Sequence, residues 1–205
     1  MASVGPLSGF INTKGAATTY VQTMNNASMH YENADRSLTA VLDGVPAQSW
    51  TNPSPCDGWT ALDVLRHMIE TQREFLTGHA IELGEAPDID ADPAAAWRAH
   101  AERVTRAISE DAVAAIEYDG HFGPTTVGAT LEQFYIWDMI VHRWDIARSV
   151  GADDGLSDAE LDRLDYGADS FGEALYMDGI CRPGVEAPVD ADRKTRLLAR
   201  IGRSA

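Results

Sequence analysis

Asp138 and His142 stand four residues apart in the segment Trp137-Asp138-Met139-Ile140-Val141-His142-Arg143-Trp144-Asp145. On a helix this spacing projects a carboxylate and an imidazole from one face. An ionised carboxylate among apolar residues is costly unless it is paired or ligates a cation. A carboxylate and an imidazole so placed can grip one divalent ion from a single helix. Asp145, three residues on, joins that face and can orient the His142 ring from behind. The same residues also fit a metal-free Asp–His hydrogen-bonded pair in a core. Asp145 equally fits a surface ion pair with Arg148 or Arg143.

A third donor must come from another helix. His67, in the middle of the segment Ala61 to Leu76, is the natural candidate. At about 100° per residue it falls away from the Leu62/Leu65/Ile69 centre and nearer Thr71 and Glu74, so a solvated histidine is the alternative. His30, His79, His100 and His121 read as solvated, with His121 as an alternative lining for a substrate mouth. Cys56 precedes a helix N-terminus, a place that can lower a thiol pKa, although a packed cysteine fits as well. The chain contains no Gly-rich phosphate loop, serine nucleophile elbow or Cys-x-x-Cys pair.

These residues need helices to position them, and the hydrophobic spacing supplies them. Tyr31, Ala34, Leu38, Val41 and Leu42 form a stripe predicting a helix over 28–42, ended by Gly44 and Pro46. Thr60 and Asp63 form an approximate capping box for a second helix, closed by Gly78. Asp92 and Pro93 open a third, with a stripe of Trp97, Ala101, Val104 and Ile108. Residues 117–128, rich in glycine, read as a loop with a short extended piece. A fourth helix over 130–150 is apolar around most of its circumference, so it must be buried. Ser157 and Glu160 cap a fifth that reaches about Met177, and a last short helix spans about 192–201. The pattern predicts an all-α fold, a four-helix bundle with a short C-terminal appendage. Residues 1–27 read as a flexible N-terminal extension, 28–180 as the metal-binding bundle and 181–205 as a tail with a short helix.

The 205 residues suit one domain, and 44% hydrophobic content is enough for a core. Asp plus Glu number 32 against 16 Lys plus Arg, a net charge of −16 that repels phosphate backbones and argues against nucleic-acid partners. No apolar run approaches the roughly 20 residues needed to span a bilayer. Early in the chain the only cation is Lys14 and no apolar stretch follows, so a signal peptide is not expected. Two cysteines, Cys56 and Cys181, read as free thiols of a cytoplasmic protein. A small-molecule substrate and a homodimer complete the expected partners.

The run Pro53-Ser54-Pro55-Cys56-Asp57-Gly58-Trp59-Thr60, leading through Leu62-Asp63-Val64-Leu65 to His67, resembles the P-C-x-G-W-T…H signature of the mycothiol-dependent maleylpyruvate isomerase-like proteins of the DinB-like superfamily. Asp138-x-x-x-His142-Arg143-Trp144-Asp145 is similar to the second signature of that family. The ending Arg196-Leu197-Leu198-Ala199-Arg200-Ile201-Gly202-Arg203 resembles the RLL-x-x-x-GR of an actinobacterial subgroup. The resemblance runs in order from about residue 30 to the end. It implies a DinB-like four-helix bundle whose metal ligands fall on His67, Asp138 and His142, with zinc or else nickel as the ion and mycothiol as cosubstrate. Two departures bear on the substrate: the isomerase has Glu where this chain has Asp138, and it carries a larger C-terminal domain. The resemblance therefore implies a thiol-dependent transferase or isomerase acting on a small electrophile, not specifically on maleylpyruvate. A non-catalytic metal- or ligand-binding module and a metal-dependent hydrolase are the alternatives.

Overall fold

The computed structural model describes residues 25–177 and 180–204. Of the extension expected over residues 1–27, residues 1–24 lie outside them. Asn25 and Asn26, expected in that extension, instead begin the first helix, α1 (Asn26–Asp43). The Asn25 side chain accepts the Ser28 N–H at 2.9 Å and donates to the Ile108 carbonyl at 2.8 Å. It is thus an N-cap tied to another helix, which outweighs its polar surroundings in sequence. A 3-10 turn follows at Ala47–Thr51.

α2 (Ala61–Gly78) starts with the expected capping box. Thr60 accepts from the Asp63 N–H, and the shorter Asp63 carboxylate still reaches back to the Thr60 N–H at 2.8 Å. α3 (Pro93–Ile108) opens under the Asp92 cap, and a single turn, α4 (Asp111–Ala114), follows. The glycine-rich segment is more ordered than a loop. β1 (Glu117–Gly120) and β2 (Gly123–Thr126) pair antiparallel across a two-residue turn.

The expected fourth helix starts three residues early, because Thr126 caps it by accepting from the Ala129 N–H at 3.1 Å. It comprises α5 (Val127–Thr130), a π turn over Leu131–Tyr135 and α6 (Ile136–Val150). Gly151, at φ 68°, ends it in the left-handed conformation. α7 (Asp158–Phe171) has the predicted Ser157/Glu160 box but stops short of Met177. Gly172 turns at φ 54° and the chain tightens into a 3-10 turn over Gly172–Tyr176. α8 (Arg193–Arg200) lies where the last helix was expected.

α1 packs against α3 and α6, and α2 packs against the same two. That ring is the expected all-α four-helix bundle, with α7 laid on α6 and α8 on α7. Leu38, Leu65, Met68, Trp97, Leu131 and Ile136 fill its interior. α6 is buried on nearly every side, including the charged residues Arg143 and Asp145. Among the described residues no helix is long and apolar enough to cross a membrane.

His100 corrects the sequence reading. It is fully buried, with Nε2 3.0 Å from Gln72 Oε1, an oxygen that also accepts from Tyr31 Oη at 2.7 Å. It sits one position from Ala101 on the stripe of Trp97 and Val104, so the packing face of α3 is wider than its apolar residues alone suggest.

Candidate metal centre

His67 lies at mid-α2 and Asp138, His142 and Asp145 lie along one face of α6. Because α2 packs on α6, the flank of α2 that carries His67 lies beside this acidic and imidazole stripe. His67 Nε2 stands 3.7 Å from Asp138 Oδ2, and His142 Nε2 stands 3.1 Å from Asp138 Oδ1. The two imidazole rings meet edge to face at 5.3 Å. One donor atom from each of His67, Asp138 and His142 falls within 4.8 Å of the others, an arrangement that can hold a metal ion. The aspartate arm is long enough to reach both rings, despite being one methylene shorter than the glutamate of the isomerase.

His142 is clamped from both sides. Its Nδ1 is 2.8 Å from Asp145 Oδ2. Burial works against the Asp145 carboxylate, but hydrogen bonding from His142 and the charge of Arg203 outweigh it and hold the group down to about 2. Asp145 is therefore an anion, and Nδ1 must carry the proton it donates. Burial likewise opposes charge on His142. Asp138, Asp145 and Cys56 overcome it, so the imidazole sits well above its ordinary range when no metal is bound. Burial raises Asp138, yet His142, His67 and Arg203 bring it below the usual carboxylate range. His67 is lowered, burial outweighing the pull of Asp138.

The partner of Asp145 is neither of the arginines offered as a surface ion pair. Arg143 binds Glu160 through two hydrogen bonds of 2.7 and 2.9 Å, and Arg148 is exposed. The cation is Arg203, whose Nη2 donates to Asp145 Oδ2 at 3.0 Å and whose Nε donates to Oδ1 at 3.3 Å. Its position in the Gly-Arg ending was visible in the sequence, but its role was not, since a contact between distant chain segments leaves no periodic trace.

Trp59 is the second residue the sequence reading left without a role. Its ring lies 5.0 Å from that of His67 and 6.5 Å from that of His142. Tyr135, at the end of the π turn, sits one turn before Asp138 and stacks on Phe75 at 4.9 Å. Burial keeps its phenol protonated far above the ordinary tyrosine range, with Tyr118 and Asp138 adding to the effect. Cys56 is packed, with Sγ 3.4 Å from Asp145 Oδ2, and both cysteines are free thiols.

The other histidines stand apart. His30 bonds Glu132 at 3.1 Å, His79 bonds the Phe75 carbonyl at 2.7 Å, and His121 lies exposed in the hairpin turn. A cavity of about 840 Å³ opens beside Asn25, Gly128, Trp137, Tyr166 and Gly167 and borders none of the three donors. His67 and Asp138 instead face an open surface, with side chains 29% and 27% exposed.

Comparison with known proteins matches residues 31–147 to the family described as mycothiol maleylpyruvate isomerase N-terminal domain. That span includes His67, Asp138, His142 and Asp145 and ends short of Arg203. Two uncharacterized proteins, from two strains of Mycobacterium tuberculosis, are each 28% identical over 146 residues, which is 61% of this chain and 56% of theirs. The chain thus spans about half the length of these relatives. No solved structure matches it. Because the family match covers more than half of the sequence and all four α2 and α6 site residues, the chain belongs to the mycothiol maleylpyruvate isomerase N-terminal domain family.

Proposed function

We propose that this chain binds one divalent ion through His67, Asp138 and His142 and uses the loaded site to activate a low-molecular-weight thiol, mycothiol foremost, against a small electrophile. The observation that carries this reading is the spacing of the donors. Ligand atoms about 2.0–2.1 Å from one tetrahedral ion stand roughly 3.3–3.4 Å apart; His142 Nε2 lies 3.1 Å from Asp138 Oδ1 and His67 Nε2 lies 3.7 Å from Asp138 Oδ2, and one donor atom from each residue falls within 4.8 Å of the others. Two imidazoles and a carboxylate suit zinc, and nickel takes the same ligands. A bound ion would supply open coordination positions and a lowered pKa for a thiol held there.

The chain's own residues do the remaining work. Asp145 takes the Nδ1 proton of His142 in a hydrogen bond, which leaves the Nε2 lone pair directed at the donor cluster. Asp138 offers a carboxylate between the two rings. The Trp59 ring lies beside both imidazoles, 5.0 Å from His67 and 6.5 Å from His142, and offers an apolar wall next to the donors. The exposed faces of His67 and Asp138 leave room for a thiol and a second reactant. The two free thiols fit a reducing compartment such as the cytoplasm.

Activity of the zinc-loaded protein toward an electrophile, titrated with mycothiol against other thiols, tests the reading. Dependence on mycothiol supports it, and turnover indifferent to any thiol removes it in favour of a metal hydrolase. A non-catalytic module is the second reading, favoured by one observation: the donors open onto a surface, while the cavity beside Trp137 and Gly167 lies elsewhere. Metal uptake with no turnover of any electrophile would select it.

A further inference from the structure

The segment after α7 does more than cover the bundle. Leu197, Leu198, Ala199 and Ile201 are buried and anchor α8. Gly202 then turns at φ 78°, where a Cβ would stand 2.9 Å from the Arg182 carbonyl oxygen. Only glycine makes this turn without strain, and the turn sends the next side chain inward. Arg203 is 7% exposed. Its Nε and Nη2 hold the two Asp145 oxygens, and its Nη1 donates to the Ile201 carbonyl at 2.9 Å. From the same tail, Arg182 Nη2 donates to the carbonyls of Gly202 and Pro55, each at 3.0 Å. One short stretch of chain therefore grips both the back of the donor cluster and the loop that carries Cys56 and Trp59.

We propose that Arg203 is a positioning residue of the metal centre, so that docking of the tail sets how tightly His67, Asp138 and His142 hold their ion. The proposal rests on the metal reading above. Asp145 is wholly buried, and a buried carboxylate without a cation is strongly disfavoured. The planar guanidinium supplies the charge and fixes the carboxylate plane by two contacts. The carboxylate in turn fixes which nitrogen of His142 is free to ligate. Arg203 also decides between two overlapping donor sets, because Cys56, His142 and Asp145 form a second candidate cluster. The Arg203 guanidinium lies 3.8 Å from Cys56 Sγ and on Asp145 itself. A dication there meets a fixed positive charge, which leaves the Nε2 side of His142 as the ion's place. Coupling between tail and ion is reciprocal: an ion held more tightly by a docked tail must hold that tail more tightly by the same factor.

The test uses the full chain stripped of metal, with zinc as the probe. Zinc affinity is measured by competition with a chromophoric chelator for the wild type, Arg203→Gln and Arg203→Lys, and cobalt substitution reports ligand geometry through its visible spectrum. Arg203→Gln is expected to weaken zinc binding by about 10- to 100-fold, the range for groups that orient a ligand imidazole, and to alter the cobalt spectrum. Arg203→Lys, which keeps the charge and loses the fork, is expected to recover part of the affinity. In the wild type, zinc should slow amide exchange from Leu197 to Arg203. Wild-type affinity and an unchanged cobalt spectrum in Arg203→Gln overturn the proposal. So does tail exchange indifferent to zinc in the wild type, a measurement that needs no variant to fold. A wild-type chain that takes up neither zinc nor cobalt overturns the metal reading itself, an outcome distinct from failure of the Arg203 role.

Discussion

His67 Nε2 lies 3.7 Å from Asp138 Oδ2 across the packed interface of α2 and α6. Neither helix can form the donor cluster alone. Removing the α2 contribution should therefore abolish tight binding while leaving the α6 residues in place. We expect protein purified without chelators or an affinity tag to carry close to one divalent ion per chain, and His67→Ala and His142→Ala to carry far less. Elemental analysis of the three proteins decides it. Equal metal content in all three would remove the donor assignment.

Metal uptake should depend on pH in a defined direction. Without metal the His142 imidazole sits well above its ordinary value, because Asp138 and Asp145 stabilise its charged form against burial. A ligand imidazole must be neutral, so each ion displaces a proton from His142. Acidification makes that displacement harder. Zinc affinity should fall by up to about tenfold for each unit of decreasing pH while that single proton is being displaced. Calorimetric titrations near pH 6 and near pH 8, in buffers of different ionisation enthalpy, count the protons released. An affinity that does not change between them contradicts the clamped His142.

Away from that centre, His100 should make the fold sensitive to acid. Burial, with smaller effects of Arg73 and Arg103, lowers it from an ordinary imidazole value to about 3. In the unfolded chain it titrates near 6.5. Between the two values the unfolded state binds a proton that the folded state does not, so stability rises with pH across this window. The slope from this residue is about 1.4 kcal/mol per pH unit. The raised His142 acts in the opposite sense, favouring the fold below its unfolded value and losing that contribution as pH rises through its folded one. Urea denaturation of His100→Phe and wild type across the acid range isolates the difference. The variant should lose the His100 part of the slope, and parallel curves would rule the explanation out.

The fold was legible wherever a periodic face or a cap residue marks it. Thr60 with Asp63, Asp92 with Pro93, and Ser157 with Glu160 all start helices as their types require. The misplaced boundaries have local causes. Asn25 became a cap because Ile108, distant in sequence, offers its carbonyl, and α7 ended early because Gly172 adopts positive φ. Within the candidate site, the i,i+4 spacing pointed to Asp138 and His142, and His67 was a candidate from its mid-helix place and the resemblance, although its helical angle pointed away from the apolar stripe. Arg203 and Trp59 acquire roles only through contacts between distant segments. His100 was misread because a polar residue on a buried stripe looks solvated until Gln72 is seen beside it.

Arg143 and Glu160 offer a test of packing behind the site. The guanidinium is 1% exposed, and its Nη1 and Nη2 are satisfied by Glu160. Its Nε has no partner, so no second acceptor stands ready there. Glu160 also closes the α7 capping box by accepting from the Ser157 N–H at 2.9 Å. Glu160→Ala leaves a buried cation uncompensated and should cost about 3–5 kcal/mol. Glu160→Gln keeps hydrogen-bonding capacity without the charge and should cost less. Chemical denaturation measures both, and a loss below about 1 kcal/mol for the alanine, the size of an exposed pair, would show that water reaches Arg143.

Gly167 should be intolerant of a methyl group, because the Trp137 indole of α6 lies directly against its backbone. A Cβ at this position would lie 2.4 Å from Trp137 Cδ1 and 2.6 Å from its Nε1. The indole cannot swing aside cheaply, since it is buried, donates to the Leu164 carbonyl at 3.1 Å and meets Phe171 edge to face at 5.5 Å. Alanine is the better helix former by about 1 kcal/mol, so propensity alone predicts that Gly167→Ala stabilises α7. Overpacking costs about 1–3 kcal/mol, and the helix must shift outward or the indole must break its hydrogen bond. We expect net destabilisation together with a change in tryptophan fluorescence. A variant more stable than wild type would mean that α7 slides on α6 without resistance. Trp137 directly precedes Asp138, so the same variant tests whether the outer packing of α6 reaches the donors. An intact zinc affinity despite lost stability would show that the packing of α7 on α6 does not reach the donors.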